Sequence, residues 1–490
     1  MRQIADLPGP SGLPVLGNLL QVDRDRIHRD VERWAREHGP LFRFALGRRR
    51  ILGVADHELL NALLRDRPDG FRRTRHMELI GREMGLTPGV FGANGDTWRR
   101  QRRMVMAGFD PNHVREYFPS LLKVTRRLRG RWQHAASTGT AIDLQPDLMR
   151  FTVDAIAGLA FGADINTLES DADVIQRHLD KIFPALFKRM FSLLPIWRWR
   201  RSKGDRELEQ SVAAVNIAIT QFIAQARARL AADPQRRSAP PNLLEAMIVA
   251  ADSPESGVTD TEVAGNVMTM LLAGEDTTAN TLAWMIYLMH RHPEAMHRAR
   301  AEVLAVAGSI DQFDPQRMAG LDYLEACAHE TMRLKPVAPF QAVEALRDTT
   351  IGDVHVPRGT VVWCVMRADS VSDAHFPDAA AFKPERWLGE GASASPLSSA
   401  KRISMPFGAG PRVCPGRYLA LLEIKMAMAM LLAHFEIDAV GTPDGAEPAE
   451  HMSFTMSPLG LSMRLRVLGS PVAHPHQGFD KFSPNGSSGS

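Results

Sequence analysis

A mainly α-helical fold with small β-sheets is what this sequence predicts, on three observations. Apolar residues recur at helical spacing through most of the chain. A capping box at Thr259-Asp260-Thr261-Glu262 opens an apolar helix of roughly thirty residues that must stop before Pro293. The strand-like runs are short and far apart. In chain order, a turn-rich lead-in (7–18) precedes a helix at 27–38, and two short strands at 41–46 and 50–54 are joined at Gly47. A helix at about 56–65 then gives way to a long irregular stretch, 66–95, rich in Gly, Arg and Met, and loops of that length usually carry function. Helices follow from Gly95, at 115–135 and at 144–161. The region 168–230 is amphipathic, and its middle, Phe183 to Trp199, mixes aromatic with basic residues, a mixture that suits docking on a membrane surface. Helices are expected at 293–306 and 321–335, strands near 350–357 and 360–366, and a closing hairpin at 453–466. The Gly/Ser/Pro-rich tail reads as disordered.

Composition narrows the function. The 490 residues are 44% hydrophobic, enough for a substantial core, and a net charge of +3 with no dense Lys/Arg block argues against nucleic acid as a partner. Cys327, Cys364 and Cys414 are too few and too scattered for a disulfide framework, which points to a reducing compartment. The first residues show neither a signal peptide nor a membrane span. The expectation is a cytoplasmic monomer with no transmembrane segment.

The chemistry concentrates in Phe407-Gly408-Ala409-Gly410-Pro411-Arg412-Val413-Cys414-Pro415-Gly416, which runs into an apolar helical pattern from Arg417. Cys414 sits where a Gly/Pro-rich loop becomes a helix, at the positive end of the helix dipole, which favours thiolate. Pro415 has no N–H, so backbone donors to the sulfur must come from Gly416 and Arg417. One thiolate without a companion is a poor zinc site, and a planar cofactor offering one axial position fits better. A structural cysteine would account for an isolated Cys-Pro-Gly, but not for the whole run.

That run matches Phe-x-x-Gly-x-Arg-x-Cys-x-Gly in every fixed position and resembles the signature of the cytochrome P450 family. The resemblance implies haem b (iron protoporphyrin IX) with Cys414 as the axial ligand of its iron. It also makes Arg412 a propionate partner, Phe407 the ring shielding the sulfur, and Gly408 part of a loop kept close to the haem face. Trp98 and Arg102 fall at i,i+4 on one helix face, two donors aimed alike, and are similar to the family's propionate-binding Trp-x-x-x-Arg pair. Many members carry a further Arg after the later helix; Val343 and Glu344 occupy that neighbourhood here, so a third propionate partner stays unassigned.

Within the long helix, Ala273-Gly274-Glu275-Asp276-Thr277-Thr278 is inconsistent with a purely structural role, because mid-helix Gly and buried acids are both costly. The Thr277 hydroxyl can bond back one turn and open a polar gap. The segment resembles the family's oxygen-site motif, with Ala273 and Gly274 beside the haem, Asp276 the acid of the proton relay and Thr277 its hydroxyl; Glu275 is expected solvated or paired in a channel. Glu330 and Arg333 share a helix face, and the resemblance joins them to Arg386 as a buried ion triad that fixes the cysteine loop. The resemblance also makes Phe91, Ala338, Phe340 and Phe454, with Met77, Leu79 and Leu86, candidates for pocket walls, and it favours reading Phe183 to Trp199 as part of a helix pair roofing that pocket over reading it as a membrane surface.

The resemblance covers about residues 7–466 and implies one haem-thiolate domain, 1–466, with a helical lobe and a smaller β-containing lobe, followed by a tail at 467–490. The implied activity is insertion of one oxygen atom from O₂ into a small apolar substrate, by C–H hydroxylation or C=C epoxidation. Electrons are expected from a separate ferredoxin and its reductase, or a flavodoxin-type donor, guided by Lys401, Arg402 and Arg417. Two other readings stay open. One is a peroxide-using haem-thiolate enzyme, against which the Asp276-Thr277 pair argues. The other is a haem-based ligand sensor, for which no output segment is evident.

Overall fold

The computed structural model describes residues 1–109, 115–170, 174–192, 194–389 and 400–469; from residue 470 on, the tail expected at 467–490 lies outside the described residues. The helices that build the site are α1 (Ile27–His38), α2 (His57–Arg65), α3 (Arg75–Glu83), α4 (Gly95–Gly108), α5 (Phe118–Thr138), α6 (Leu144–Phe161), α7 (Val174–Met190), α8 (Lys203–Ala232), α9 (Leu243–Ala251), α10 (Asp260–Arg291), α11 (Pro293–Glu302), α12 (Asp322–Leu334) and α13 (Arg417–His434).

Helix α10 is the axis. Its capping box is complete: the Glu262 N–H donates to Thr259 Oγ1 at 3.2 Å and the Thr259 N–H to Glu262 Oε2 at 2.9 Å. Its apolar body is covered on most sides, and Val263, Val267, Leu271, Leu282, Trp284 and Met285 are fully buried. A Cβ at Gly274 would stand 3.2 Å from Ile156 Cγ1, so the glycine lets α6 cross α10 closely. The main core lies between α5, α6, α10, α12 and α13, with Trp132, Phe151, Leu282, Leu324 and Met430 among its members.

The strands form small sheets, as the few short apolar runs require. The strands β1 (Arg2–Gln3), β2 (Leu41–Leu46), β3 (Arg49–Val54), β4 (Phe71–Arg73), β5 (Ile142–Asp143), β6 (Phe340–Ala345), β7 (Thr349–Ile351), β8 (Val354–Val356), β9 (Val361–Val365), β10 (Phe435–Gly441), β11 (Glu450–Met452), β12 (Met456–Pro458) and β13 (Ser462–Val467) follow in order. The largest sheet runs β2-β3-β9-β6-β4, with β3 and β9 parallel and the other pairs antiparallel.

Two expectations are corrected. The stretch 66–95 is not irregular throughout: Phe71–Arg73 joins the sheet opposite Val343–Ala345, and Thr74 then caps α3 by accepting from the Met77 N–H at 3.3 Å. Within 168–230 the described residues hold a helix pair, α7 and α8, with a capping box of Ser202 and Asp205 starting α8, in keeping with the expected pair. The predicted hairpin at 453–466 is divided: β11 pairs with β12 around a tip at 453–455, while a turn at Gly460 (φ +68°) sends β13 to β10 and β5.

The predicted triad is present on α12. Glu330 and Arg333 are fully buried with Arg333 Nη2 at 2.8 Å from Glu330 Oε1, and Arg386 Nε lies 3.3 Å from the same oxygen. Trp387 Nε1 donates to Glu330 Oε2 at 2.9 Å, and Arg333 Nη1 to the carbonyls of Ser370 (2.6 Å) and Ala379 (2.8 Å). These bonds tie α12 to residues 370–387, upstream of the cysteine loop.

Candidate active site

The cysteine loop is a tight ring. Its closing bond runs from the Cys414 N–H to the Phe407 carbonyl at 2.9 Å, and Gly408 (φ +74°) and Gly410 (φ +69°) take conformations that other residues resist. A Cβ at Gly410 would fall 2.4 Å from the Leu64 carbonyl oxygen, so the loop rests directly on the end of α2. The expected ease of ionisation at Cys414 is not met by the protein alone. Burial pushes the thiol up, while the Gly416 N–H and the charges of Arg102 and Arg417 pull the other way. A bound metal cation would reverse that balance.

Cys414 faces Ala273, Gly274, Thr277 and Thr278 of α10 across a cavity of about 1010 Å³, which Phe407 and Gly408 also line. Arg67, Arg73, Arg102 and Arg412 are among the arginines that border it. Arg102 Nη2 donates to the Val413 carbonyl at 2.9 Å, and the Arg412 guanidinium lies 4.8 Å from the centre of the buried Trp98 ring while donating to the carbonyl of Ala93. Arg67 and Arg73 each reach Gln341 Oε1 at 3.4 Å. Among the described residues none of the four forms an ion pair with a carboxylate, and Nε and Nη2 of Arg67 and Nε of Arg412 are buried without a partner. Burial lowers all four; Arg67 falls to about 10, and repulsion from Arg67 and Arg102 helps bring Arg412 to about 9.

Such a ring of uncompensated cations calls for an anionic group that the chain does not supply. A planar metallo-cofactor with two carboxylates at its edge and one axial position for sulfur fits this donor set. Arg67 and Arg73 escaped the sequence reading because they lie in the stretch taken as irregular; only the pairing of β4 with β6 brings them beside Gln341. The position sought after α12 holds Glu344, which is committed to Arg75 at 3.1 Å.

On the α10 side, Thr277 Oγ1 donates to the Ala273 carbonyl at 2.8 Å, as its position predicts. Asp276 points elsewhere. It borders a second cavity of about 140 Å³ with Gln145, Asp180, Glu275 and Ser453, and accepts from Thr455 Oγ1 at 3.2 Å. Thr455 itself lines the main cavity and so bridges the two. Burial pushes the Asp276 carboxyl up to about 6, opposed by the Thr455 hydrogen bond and assisted by the nearby charge of Asp180. Glu275, expected solvated or paired in a channel, is buried, borders this small cavity and hydrogen-bonds with Asp180. A further acid, Glu423 of α13, escaped the sequence reading. It is buried, borders the main cavity, bonds to Thr278 and is pushed up to about 8 by burial. Its only signal was a carboxylate inside an otherwise apolar helical run.

Phe91, Ala338, Phe340 and Phe454 all line the cavity, as do Met77, Leu79 and Leu86. Phe454 stacks on Phe183 at 4.3 Å, meets Phe91 edge-on at 5.8 Å and holds a strained φ of +99° at the 453–455 tip. Near the sulfur side, Arg402 is committed to Glu58 (Nε to Oε1, 3.2 Å), whereas Lys401 is exposed and Arg417 lies over the Tyr418 ring at 4.5 Å.

Comparison with known proteins agrees with this geometry. The family model for Cytochrome P450 matches residues 7–464. The chain is 29% identical over 490 residues to the mitochondrial 25-hydroxyvitamin D-1 alpha hydroxylase of Mus musculus, covering 93% of this chain and 91% of that one. It is 30% identical over 457 residues to a self-sufficient cytochrome P450 monooxygenase of Exserohilum turcicum, covering 89% of this chain and 40% of that one. A probable cytochrome P450 of Drosophila melanogaster is 26% identical over 483 residues, 94% of this chain and 91% of its own. With Cys414 opposite the α10 threonines and a ring of arginines without carboxylates between them, the match over nearly the whole chain makes this protein a member of the cytochrome P450 family, a haem-thiolate monooxygenase.

Proposed function

We propose that the protein binds haem b and inserts one oxygen atom from O₂ into an apolar substrate by C–H hydroxylation or C=C epoxidation. The observation that carries this reading is the cavity itself: a single sulfur on one side, a hydroxyl-bearing helix turn on the other, and four arginines awaiting carboxylates at the edge. When bound, the haem supplies oxygen activation, with electron donation from the thiolate. Cys414 would hold the group through its sulfur. Arg67, Arg73, Arg102, Arg412 and the Trp98 indole would hold its carboxylates. Phe91, Phe340 and Phe454 with Ala338 exclude water and orient an apolar molecule, whose class the aliphatic and methionine-rich lining leaves broad: terpenoid, fatty-acyl or polyketide-like.

Burial strengthens the hold of the Asp276 carboxyl on a proton, and the Thr455 hydroxyl connects it toward the main cavity where Thr277 stands. Electrons come from a separate ferredoxin or flavodoxin-type donor docking near Lys401 and Arg417. A cytoplasmic location accords with three cysteines that remain free. The acid and hydroxyl pair favours this reading over a peroxide-using enzyme.

The test is optical. Reduced, haem-loaded protein under carbon monoxide is expected to give a thiolate-type band that Cys414→Ser abolishes; the same band in the serine variant would refute the assignment. Product formation with an electron donor and O₂, rather than with peroxide alone, separates the two chemistries. Screening apolar compounds for displacement of water from ferric iron identifies the substrate class.

A further inference from the structure

His57, at the start of α2, meets Asp369, which lies 312 residues further along the chain. Asp369 Oδ2 accepts from the His57 N–H at 2.8 Å and from the His57 ring at Nδ1, 2.7 Å away. The other carboxylate oxygen faces His375 Nε2 at 3.6 Å, and the two imidazole rings stand edge to face with 4.7 Å between their centres. One ligand atom from each of the three side chains lies within 4.8 Å of the other two. The group sits at the surface and is graded in access: the side chains of His57, Asp369 and His375 are 11%, 20% and 31% exposed.

Hydrogen bonding accounts for His57 but not for His375. A separation of 3.6 Å is too long for an N–H···O bond. Two ligands of one tetrahedral ion, each bonded at about 2.0–2.1 Å, stand about 3.3 Å apart. The distances from Asp369 to the two rings, 2.7 Å and 3.6 Å, fall on either side of that value, and the partly exposed His375 has room to close the difference. Two imidazoles with one carboxylate suit zinc, whereas magnesium and calcium prefer oxygen ligands throughout. The partial positive charge at the start of α2 is answered by two further carboxylates: Asp56 caps the helix, and Glu58 Oε1 lies 3.4 Å from His57 Nε2.

The surroundings give an ion here something to hold. His57, Asp369 and His375 do not line the main cavity. Helix α2 supports the cysteine loop at its far end, where Gly410 approaches the Leu64 carbonyl, and Asn61 Nδ2 donates at 3.0 Å to the Arg402 carbonyl in the short helix Ala400–Ser404. On the other side, the Ser370 carbonyl accepts from Arg333 at 2.6 Å. We propose that His57, Asp369 and His375 form a zinc-binding site, with water in the fourth position, that fastens α2 to residues 369–375 beside the cysteine loop. The site is structural, and it stands or falls apart from the oxygen chemistry proposed above.

The experiment is calorimetric titration of zinc chloride into the full, haem-loaded protein after treatment with a chelator. Cys327 and Cys364 are buried, which keeps their thiols out of the competition. One saturable zinc ion per chain is expected, with no comparable heat from magnesium chloride. His375→Ala and Asp369→Asn should each weaken zinc binding at least about tenfold, because removing a ligand costs no less than removing its supporting partner. Zinc should raise the melting temperature of the parent protein and leave that of His375→Ala unmoved. An unchanged haem absorbance spectrum verifies that both variants are folded. X-ray absorption at the zinc edge should show nitrogen and oxygen ligands at about 2.0–2.1 Å with imidazole scattering. Absence of saturable binding, binding that either variant leaves unchanged, or a sulfur ligand at about 2.3 Å overturns the proposal.

Discussion

Asp276 shows how a single side chain is tuned by what surrounds it. Burial in the small cavity raises its carboxyl to about 6, against the Thr455 hydrogen bond and with help from Asp180. A raised folded-state value means the proton is held below about pH 6 and lost above it, and any stability linked to that proton is lost in the same direction. The fraction of electrons that end in product is therefore expected to decline as pH rises through about 6. Asp276→Asn should remove this pH limb and divert reducing equivalents to peroxide with haem retained, as measured by peroxide yield per reduced donor. Arg73 is tuned differently, since burial and repulsion from Arg67 and Arg412 oppose its charge and no carboxylate answers it. Arg73→Ala is expected to leave the apoprotein at least as stable but to speed transfer of haem to a scavenging protein by about tenfold, the scale of a charge-assisted hydrogen bond. An unchanged transfer rate would remove Arg73 from the propionate site.

Among the elements, the cysteine loop depends most on its neighbours. Gly410 lies against the backbone at the end of α2, where the nearest atom to an added Cβ is a carbonyl oxygen that cannot swing aside. Gly410→Ala should cost about 2 kcal/mol or more from backbone strain and overlap, lowering both the melting temperature and the haem bound per chain. Helix α10 gives a milder comparison. Its N-cap lies far from the cavity, so Thr259→Ala should reduce stability by about 1 kcal/mol in a denaturant titration while leaving the haem spectrum unchanged.

At the scale of the whole molecule, a buried ion cluster ties the two ends of the chain together. Arg367 pairs with Glu32 of α1 at 2.8 Å and with Glu450 of β11 at 3.0 Å, and His28 and Lys335 also bond to Glu450. Burial works to raise the Glu450 carboxyl, but the His28 hydrogen bond and the Arg367 and Lys335 charges prevail and hold it well below the usual carboxylate range. A depressed value contributes stability that is present above the ordinary carboxylate range and lost as pH falls. Glu450→Gln should destabilise the protein by about 3–5 kcal/mol near pH 7, because it leaves a buried guanidinium short of a partner. It should also flatten the fall in stability between about pH 5 and 3. Denaturant midpoints at the two pH values check both effects.

How much could be read in advance follows from how local each feature is. The cysteine loop, the Thr259 capping box, the Thr277 back-bond and the Glu330–Arg333 pair are set within a few residues, and their spacing alone carries them. The Trp98 and Arg102 pair is likewise a property of one helix face. Arg67 and Arg73 are of another kind: nothing in their immediate sequence distinguishes them from ordinary surface charges, Glu423 shows only as a carboxylate in a largely apolar helical run, and sheet pairing or helix packing brings all three to the cavity. The same holds for Asp276, whose neighbours in sequence are Glu275 and Thr277 but whose proton affinity comes from Asp180 and Thr455, more than ninety residues away on either side. The sequence by itself determined the cysteine loop, the capping boxes and the helix-face pairs, because each is geometry set within a few residues. The tertiary structure decided how each side chain titrates, what balances its charge and where the cavity opens, because desolvation and Coulomb forces depend on distance through space and are blind to order along the chain.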